Sequence, residues 1–483
     1  MPDNTQGSMW HRWDPHLHAP GTVLNDQFSG DNPWEGYLQR IESSEPRIKA
    51  LGVTDYASLE LYESVKQFRN EGRIPQIELI FANVELRLAT GTGRDSAINL
   101  HLLISPVQPD HVDQARRFLL GLTFHRKGEV YRCERDDLIR LGKAHDPTIE
   151  NNVKALEVGT NQFKVTFEEL RKLRNGSDWA KKNILIACAG GSSDGTSGLQ
   201  NEKSFAALRK EIEAYSDIIF SAQPKQREFW LGYGAANTGQ LTEGWGGCKP
   251  CIHGSDAHDL NSVGRPNLDR FCWLKGDLTF ETLRQICLEP EYRSYIGATP
   301  PKGALASQII ESVSVNDAKW ISGTSIPLNE GLVALIGARG SGKTALADII
   351  AAGSNSGQWD NKRSFLYRAK ELLAGSSVSI TWADKHKETL LLEPEKGSEW
   401  PEPERTQYLS QQFVERLCSA EGMTDDLLDE IQRVIFQAHH ADSRMGATSF
   451  SELLSLKAQR ARNARVREET AGDLQPSCPN SCT

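Results

Sequence analysis

The sequence has no long apolar run and no export signal, and both absences limit where the protein can act. Among its 483 residues there is no stretch of about 18 apolar residues, the length that a membrane-spanning helix needs. The N-terminus also lacks the basic-then-apolar pattern of a secretory signal. These features predict a cytoplasmic protein without a membrane partner.

Neither basic residues nor paired cysteines are in excess. Lys and Arg number 55 against 64 Asp and Glu, which gives a formal net charge of −9. This balance argues against nucleic-acid binding over the whole surface, although a local basic stripe would still permit it. The nine cysteines are scattered and odd in number, so no disulfide framework is expected.

The length predicts two or three domains, because a single hydrophobic core rarely serves more than about 300 residues. Residues 9–296 alternate short apolar runs with helical stretches, here Leu59–Asn70 and Asp110–Gly121. This alternation is typical of βα units around a largely parallel sheet, either open or closed into a barrel. The predicted strands are Ala50–Thr54, Ile77–Val84, Ile98–Ile104, Ile184–Ala189, Asp217–Ser221, Phe229–Gly232, Cys251–Gly254 and Phe271–Leu274.

The remaining residues divide into a linker, a second α/β segment and a helical end. Pro300 and Pro301 predict a linker over 297–304, and a phosphate-binding segment is expected over 305–440. Residues 441–483 predict a basic helix followed by an unstructured tail. That helix has little apolar periodicity, which is typical of a coiled-coil arm or a solvated helix and less often of a nucleic-acid contact.

Two histidines near the N-terminus have the spacing of metal ligands. In Asp14-Pro15-His16-Leu17-His18 the two imidazoles are two residues apart, so on an extended segment both can reach one metal. Asp14 would face the same side, as a ligand or as the acceptor that fixes a histidine tautomer.

Further ligand types follow predicted strands or lie within them. Because metals a few ångströms apart can activate water and stabilise attacking and leaving oxygens, this set predicts a di- or trinuclear hydrolytic site. Carboxylates and histidines favour Mn, Zn or Fe. The predicted metal ligands are His16, His18, Asp55, Glu85, His101, Asp256 and His258.

The order of these residues resembles the PHP (polymerase and histidinol phosphatase) superfamily across residues 9–296. The matching residues are Asp14-x-His16-x-His18, Thr54-Asp55, Glu85, His101 and Ser255-Asp256-Ala257-His258. The resemblance implies a distorted (β/α)7 barrel whose multinuclear metal site hydrolyses phosphoesters. It also implies that His16, His18, Asp256 and His258 are catalytic.

The sequence departs from the family pattern at two positions. The family has a histidine ligand after its Thr-Asp pair, where this chain has Tyr56. A second histidine is expected after the strand ending near Ala187, where Cys188 stands; Cys188 or Asp194 would be the substitutes. A metal position is therefore expected to be weaker here or absent.

A second motif, Gly337-Ala338-Arg339-Gly340-Ser341-Gly342-Lys343-Thr344, has the pattern of a phosphate-binding loop. A buried strand is predicted at Gly331–Ile336 and a helix at Ala345–Ile350. Between such elements, backbone N–H groups surround the phosphates, Lys343 reaches the outer phosphates and Thr344 holds Mg²⁺. The sequence therefore predicts ATP with Mg²⁺ bound through Gly337, Arg339, Gly340, Ser341, Gly342, Lys343 and Thr344.

The region around this loop resembles the ATP-binding-cassette head of SMC- and RecF-like proteins. Ile326–Gly337 is similar to the start of that head, and Tyr408–Phe413 to its Q-loop, in which Gln411 or Gln412 would sense the γ-phosphate. The combination resembles TrlF-type PHP–ATPase fusions. The fold class predicted is thus an α/β PHP barrel, a partial P-loop lobe and the start of a helical arm.

The resemblance makes the second segment an incomplete ATPase. Neither a signature motif nor a Walker B Asp-Glu is found in Val414–Thr483, and only 139 residues follow Thr344. A second ATPase chain or a homodimer is a candidate partner. ATP hydrolysis by this chain alone is expected to be slow.

The resulting hypothesis is a metal-dependent phosphoesterase, a nuclease acting on DNA in repair or phage defence, coupled to an ATP-binding lobe. DNA as substrate is implied by the resemblance to SMC-like heads. Two alternatives stand beside it, a non-catalytic scaffold switched by nucleotide and a phosphatase of small monoesters.

Overall fold

The computed structural model describes most of the chain, and the statements below concern those residues. They are 7–91, 97–191, 194–199, 206–301, 303–318, 321, 325–357, 362, 364–392, 406–409, 428, 431–432, 435–436 and 444–472. The chain divides into two units, Met1–Lys302 and Gly303–Thr483. No described helix is both long and apolar enough to cross a bilayer.

The first unit is built on a nine-stranded sheet with a small separate hairpin. Its strands are β1 (Met9–Leu17), β2 (Ile48–Tyr56), β3 (Leu79–Gly91), β4 (Ala97–Ile104), β5 (Thr123–Arg126), β6 (Glu129–Arg132), β7 (Ile184–Ala189), β8 (Ile218–Phe220), β9 (Cys251–Ile252), β10 (Phe271–Gly276) and β11 (Ser294–Gly297). The order in the large sheet is β11-β10-β1-β2-β3-β4-β7-β8-β9, and β5 pairs with β6.

Helices connect most of these strands. They are α1 (Pro33–Glu42), α2 (Glu60–Asn70), α3 (His111–Leu120), α4 (Arg135–His145), α5 (Asn152–Gln162), α6 (Phe167–Gly176), α7 (Asp178–Asn183), α8 (Ala206–Tyr215), α9 (Pro224–Trp230), α10 (Thr238–Trp245), α11 (Phe280–Leu288) and α12 (Pro290–Arg293). Short 3-10 turns occupy Thr196–Leu199, Asn267–Asp269 and Ala306–Gln308.

The sheet is mixed and curls until its two edge strands, β9 and β11, are in contact. Strands β1, β2 and β3 are parallel to each other, as are β7, β8 and β9, whereas β4 and β10 run antiparallel to their neighbours. The prediction of a largely parallel sheet was therefore wrong in part. The fold class observed is mixed α/β with a barrel-like sheet.

Apolar side chains cover both faces of the sheet. Alternate side chains of eight strands meet inside it, and α11 contributes Phe280, Leu283 and Ile286 to this inner cluster. The opposite side chains pack against the outer helices. Since successive residues of a strand point to opposite faces, strands buried on both sides appear in the sequence as continuous apolar runs.

One predicted strand is helical. Phe229–Gly232 was expected to be extended, but Phe229 and Trp230 end α9, which begins at Pro224. Proline is favoured in the first turn of a helix because its missing N–H is not needed there. Trp230 is buried, and Phe229 meets Trp245 edge to face at 5.7 Å. A short apolar run of this kind does not by itself distinguish a strand from a helix end.

The second unit contains an antiparallel sheet of four strands in the order β13-β12-β14-β15. Its elements are β12 (Ile310–Asn316), β13 (Ile326–Pro327), α13 (Lys343–Gly353), α14 (Phe365–Arg368), α15 (Lys370–Leu373), β14 (Ser377–Trp382), β15 (Lys387–Leu391) and α16 (Phe450–Gly472). Gly353 lies directly on Val378 and Ile380, so α13 packs on β14. The predicted helices at Ala345–Ile350 and after Ser449 are confirmed.

The buried strand predicted at Gly331–Ile336 is not formed. These residues have no regular secondary structure, and Leu332 and Ile336 are each 92% exposed. A strand needs a neighbour for its N–H and C=O groups. In the described part of the chain, no strand pairs with this segment.

Candidate metal centre

The end of β1 directs two imidazoles toward each other. Nε2 of His16 lies 3.3 Å from Nε2 of His18, and each nitrogen is 3.5 Å from Oε2 of Glu85. His18 is fully buried, and its Nδ1 is 3.2 Å from the hydroxyl of Thr22. Because Nδ1 already has this partner, Nε2 is the nitrogen that faces the cluster.

Strands β3 and β4 supply a carboxylate and a third imidazole as a cross-strand pair. Glu85 lies directly opposite His101 in the antiparallel register. Nδ2 of Asn99 donates to Oε1 of Glu85 at 2.7 Å, and Nδ1 of His101 is 3.0 Å from Oδ1 of Asn83. The amide oxygen accepts, so His101 carries its proton on Nδ1 and leaves Nε2 with a lone pair. The rings of His101 and His16 are 4.7 Å apart.

The segment after β9 closes the cluster from the other side. The N–H of Asp256 donates to the carbonyl of His16 at 2.8 Å. Oδ1 of Asp256 lies 3.2 Å from Nε2 of His16 and 3.7 Å from Nε2 of both His18 and His258. His258 stacks on His18 at 4.2 Å, and its buried Nδ1 has no hydrogen-bond partner in the described structure.

Two overlapping groups of metal-ligand type result from this arrangement. His16, His18 and Glu85 form one, and His18, Asp256 and His258 form the other. In each group the ligand atoms lie within 4.8 Å of one another. His101 lies beside them, in ring contact with His16.

Asp14 supports the cluster without joining either group. Its carboxylate accepts from the backbone N–H of Ser255 at 3.0 Å and from the Ser255 hydroxyl at 2.7 Å. Burial raises the pKa of Asp14, against the lowering effect of these two hydrogen bonds. Asp14 thus ties the loop carrying Asp256 to β1. This differs from both roles that the sequence left open, because its hydrogen-bond partner is Ser255 and not a histidine.

Asp55, a predicted ligand, is in neither group. Its oxygens accept from the N–H groups of Tyr56 at 2.9 Å and Leu61 at 3.3 Å, so it fixes the turn into α2. Burial raises the pKa of Asp55 to about 7. The next residue faces the cluster instead, because the Tyr56 ring stacks on His18 at 4.8 Å.

Cys188 also points away from the histidines. It is opposite Leu100 in the β4–β7 register, whereas Ala187 is opposite His101. Its side chain belongs to the outer apolar layer, and burial raises the pKa of its thiol to about 12. A neutral buried thiol is a poor metal ligand.

The charges of the cluster are strongly coupled. Burial disfavours the charged imidazole of His16, but Asp256 and Glu85 overcome this effect and raise its pKa to about 9. Burial likewise opposes ionisation of Glu85, yet hydrogen bonds from His16 and His18 hold its pKa well below its usual value. Burial and the charge of His16 lower the pKa of His101 to about 3. Burial followed by the charge of His18 lowers that of His258 to about 4.

Sequence reasoning missed the residues that orient the ligands. Asn83 and Asn99 each lie two positions before a ligand on the same strand, and Thr22 lies four positions after His18. The period of two places Asn83 beside Glu85 and Asn99 beside His101 on one face. This spacing was a usable signal. Phe220, which contacts the rings of both His16 and His101, had no such signal.

In the second unit, residues 337–342 of the phosphate loop form an exposed turn, and Lys343 and Thr344 begin α13. Gly340 and Gly342 have φ values of +83° and +89°, in the left-handed region that favours glycine. Nζ of Lys343 donates to the carbonyls of Gly337 and Ala338 at 2.9 and 2.8 Å. The predicted Gln411 lies outside the described residues, while the Tyr408 hydroxyl donates to Asp348 of α13.

Comparison with known proteins identifies no family. No protein-family model matches the sequence, and no curated protein matches it significantly. Eight chains of solved structure match. One is a proposed metal-dependent phosphoesterase from Bifidobacterium adolescentis, 12% identical over 57% of this chain and 96% of that chain, with a TM-score of 0.30. A TM-score this low is no evidence of a shared function.

Proposed function

We propose that this chain is a metal-dependent phosphoester hydrolase. The observation that carries the proposal is the convergence of His16, His18, Glu85, Asp256 and His258 on one small volume, from the end of β1, the middle of β3 and the segment after β9. The described part of the chain has no other group of three His, Cys, Asp or Glu residues with this geometry.

The distances in the cluster fit a metal ion. Ligand atoms held about 2.1 Å from one tetrahedral ion lie about 3.4 Å apart. The separations between these imidazole nitrogens and carboxylate oxygens run from 3.2 to 3.7 Å. Three imidazoles and two carboxylates suit Mn, Zn or Fe, and a shared His18 with His101 nearby suits two or three ions.

The protein's own residues prepare the site in three ways. Thr22 and Asn83 fix the orientation of His18 and His101, and Asn99 aims the carboxylate of Glu85. Asp14 holds the loop of Asp256 against β1. Divalent cations bound here would polarise a phosphoryl group and promote attack by water.

We extend the proposal to DNA as the substrate, with ATP and Mg²⁺ bound by the second unit. The first part rests on the sequence resemblance to SMC-like heads. The second rests on the glycine-rich turn before α13, where N–H groups at a helix N-terminus suit phosphate. Residues 337–344 would bind the nucleotide, and the second unit would then regulate the phosphoesterase.

Hydrolysis of end-labelled single-stranded DNA in Mn²⁺ tests the catalytic proposal. We expect cleavage by the wild-type chain and its loss in a His16→Ala/His18→Ala double variant, because both ligand groups lose members. His145→Ala, at an exposed histidine ending α4, is the control and should cleave like the wild type.

The other outcomes distinguish between the two alternative functions, a phosphatase of small monoesters and a non-catalytic scaffold. If none of the proteins cleaves DNA but the wild type releases phosphate from monoesters, the site is a phosphatase. If neither substrate is hydrolysed and the chain retains no metal after dialysis, the protein is a non-catalytic scaffold and not a hydrolase.

A further inference from the structure

Arg87 lies on the same face of β3 as the carboxylate of the metal cluster. It follows Glu85 by two positions, so the two side chains leave the strand on one side. In the antiparallel register Arg87 is directly opposite Asn99, whose amide donates to Glu85. The carbonyl of Arg87 accepts from the N–H of Val165 at 2.9 Å, so the backbone of β3 has a partner on both sides at this point.

The guanidinium of Arg87 lies one aromatic ring away from the histidines. Its central carbon is 5.8 Å from the centre of the Tyr56 ring, and the same ring stacks on His18 at 4.8 Å. His258 stacks on His18 in turn, at 4.2 Å. Tyr56 is buried, so it holds the positive charge of Arg87 beside the metal cluster.

This positive charge has no carboxylate partner in the part of the chain that the structure describes. One N–H of the guanidinium donates to Oδ1 of Asn161 on α5, which is a neutral acceptor. Arg116 and Arg135, by contrast, are each paired with a glutamate. Arg87 is half-buried and has further N–H donors to offer, so an anionic ligand would suit it.

The shape of the guanidinium favours phosphate as that ligand. Its N–H groups form a planar fork that matches two oxygens of one phosphate. A phosphate has oxygens left over for divalent cations, as the substrate of the proposed hydrolase requires.

We propose that Arg87 binds an oxygen of the substrate's phosphate group at the metal cluster. The inference rests on the proposed function, because it names a protein group that contacts the scissile phosphate. There the guanidinium would orient the phosphate and stabilise the negative charge that develops on its oxygens.

Binding of inorganic phosphate to the Mn²⁺-loaded chain tests this contact without requiring catalysis. Every protein in the test carries Lys343→Ala, so that the phosphate loop of the second unit does not contribute. Calorimetry should show that Arg87→Gln weakens phosphate binding about tenfold, because charge-assisted hydrogen bonds are lost. Arg117→Gln is the matched control at an exposed arginine of α3, and it should bind phosphate like the parent.

Arg87→Lys is a second variant, for the case in which Arg87→Gln does not fold, which circular dichroism would reveal. It keeps the charge but loses the planar fork, so we expect a loss of about threefold relative to the parent.

Several results would overturn the inference. One is a parent that binds no phosphate, and another is parent-like affinity in Arg87→Gln, or in Arg87→Lys if Arg87→Gln does not fold. A third is weaker binding together with loss of Mn²⁺, because Arg87 would then support the metal ligands and not contact phosphate. A tenfold loss at full Mn²⁺ content, in a chain that hydrolyses no phosphoester, supports the phosphate contact and overturns the proposed hydrolase.

Discussion

Glu85 is the residue on which the cluster depends most. Its Oε2 is equidistant from two imidazoles, and its Oε1 is occupied by Asn99. A buried carboxylate is tolerated only when it is neutralised or paired. When His16 is protonated, its positive charge neutralises the carboxylate of Glu85. When a metal is bound, the cation neutralises Glu85 instead, and His16 must lose its proton.

Asp55 gives a prediction in which the sign of a pH effect can be checked. Its pKa is about 7 in the fold and ordinarily 3.8, so the folded state binds the proton more tightly. This contribution is fully present below about pH 4, is lost as the pH rises toward 7, and is constant above. Its size is at most about 4 kcal/mol, from 1.36 kcal/mol per pKa unit.

We expect Asp55→Asn to remove this pH dependence. The variant should be less stable than the wild type at pH 5, because the amide of asparagine has one oxygen in place of the two that accept the N–H groups of Tyr56 and Leu61. The difference in stability should shrink by pH 8. Urea denaturation at both values measures it. Asp31→Asn, at an exposed aspartate, should keep the wild-type slope. Equal slopes in the wild type and Asp55→Asn would contradict the prediction.

At the scale of elements, the cluster is assembled from strands and a loop that are far apart in sequence. Gly254 lies very close to β1: a Cβ there would be 2.5 Å from the carbonyl oxygen of His16 and 2.6 Å from Oδ1 of Asp14. Both oxygens already accept hydrogen bonds, from the N–H groups of Asp256 and Ser255, so neither can move without breaking one. The segment of Asp256 and His258 can lie against β1 only because this residue has no side chain.

Gly254→Ala should therefore move Asp256 and His258 away from His16 and His18 on β1. We expect a loss of about 1–3 kcal/mol in stability, typical of overpacking, and less Mn²⁺ retained after dialysis. Metal analysis and thermal unfolding measure both. Gly176→Ala, where a Cβ meets nothing within 4 Å, is the matched control and should retain wild-type metal content. Normal metal content in Gly254→Ala would show that the loop can move without cost.

The same elements show what sequence can and cannot predict. Continuous apolar runs gave β7 with its observed bounds and β2 within two residues at each end, because burial on both faces leaves an unmistakable pattern. The antiparallel direction of β4 and β10 could not be read from such runs, since pairing is a tertiary property. His16, His18 and Glu85 were predicted from spacing and strand position. That Asp55 fixes a turn while Tyr56 faces the cluster depends on a register that no local pattern reports.

At the scale of the molecule, the chain has two units, each with its own core. The inner and outer layers of the barrel-like sheet belong to the first, and the cluster around Val313, Ile349 and Trp382 belongs to the second. A ligand that binds only a folded unit stabilises it by mass action, about 2.7 kcal/mol at one hundred times its Kd. Metal and nucleotide should therefore protect different parts of the chain.

Turnover of ATP by this chain is expected to be slow even where binding is detectable. Lys343 already donates to the carbonyls of Gly337 and Ala338, so a nucleotide must break two hydrogen bonds before Lys343 can reach its phosphates. The segment Gly331–Ile336 forms no strand to support the loop, and the sequence after Thr344 offers no Walker B carboxylate to position water.

Hydrogen–deuterium exchange should show weak Mg²⁺–ATP protection near α13. This protection should be lost in Lys343→Ala and kept in Lys457→Ala, at an exposed lysine of α16. Mn²⁺ protection of β1 should be the same in all three proteins. Rapid phosphate release by the wild type that Lys343→Ala abolishes would instead mean that this unit completes an ATPase site from residues that the sequence motifs do not identify.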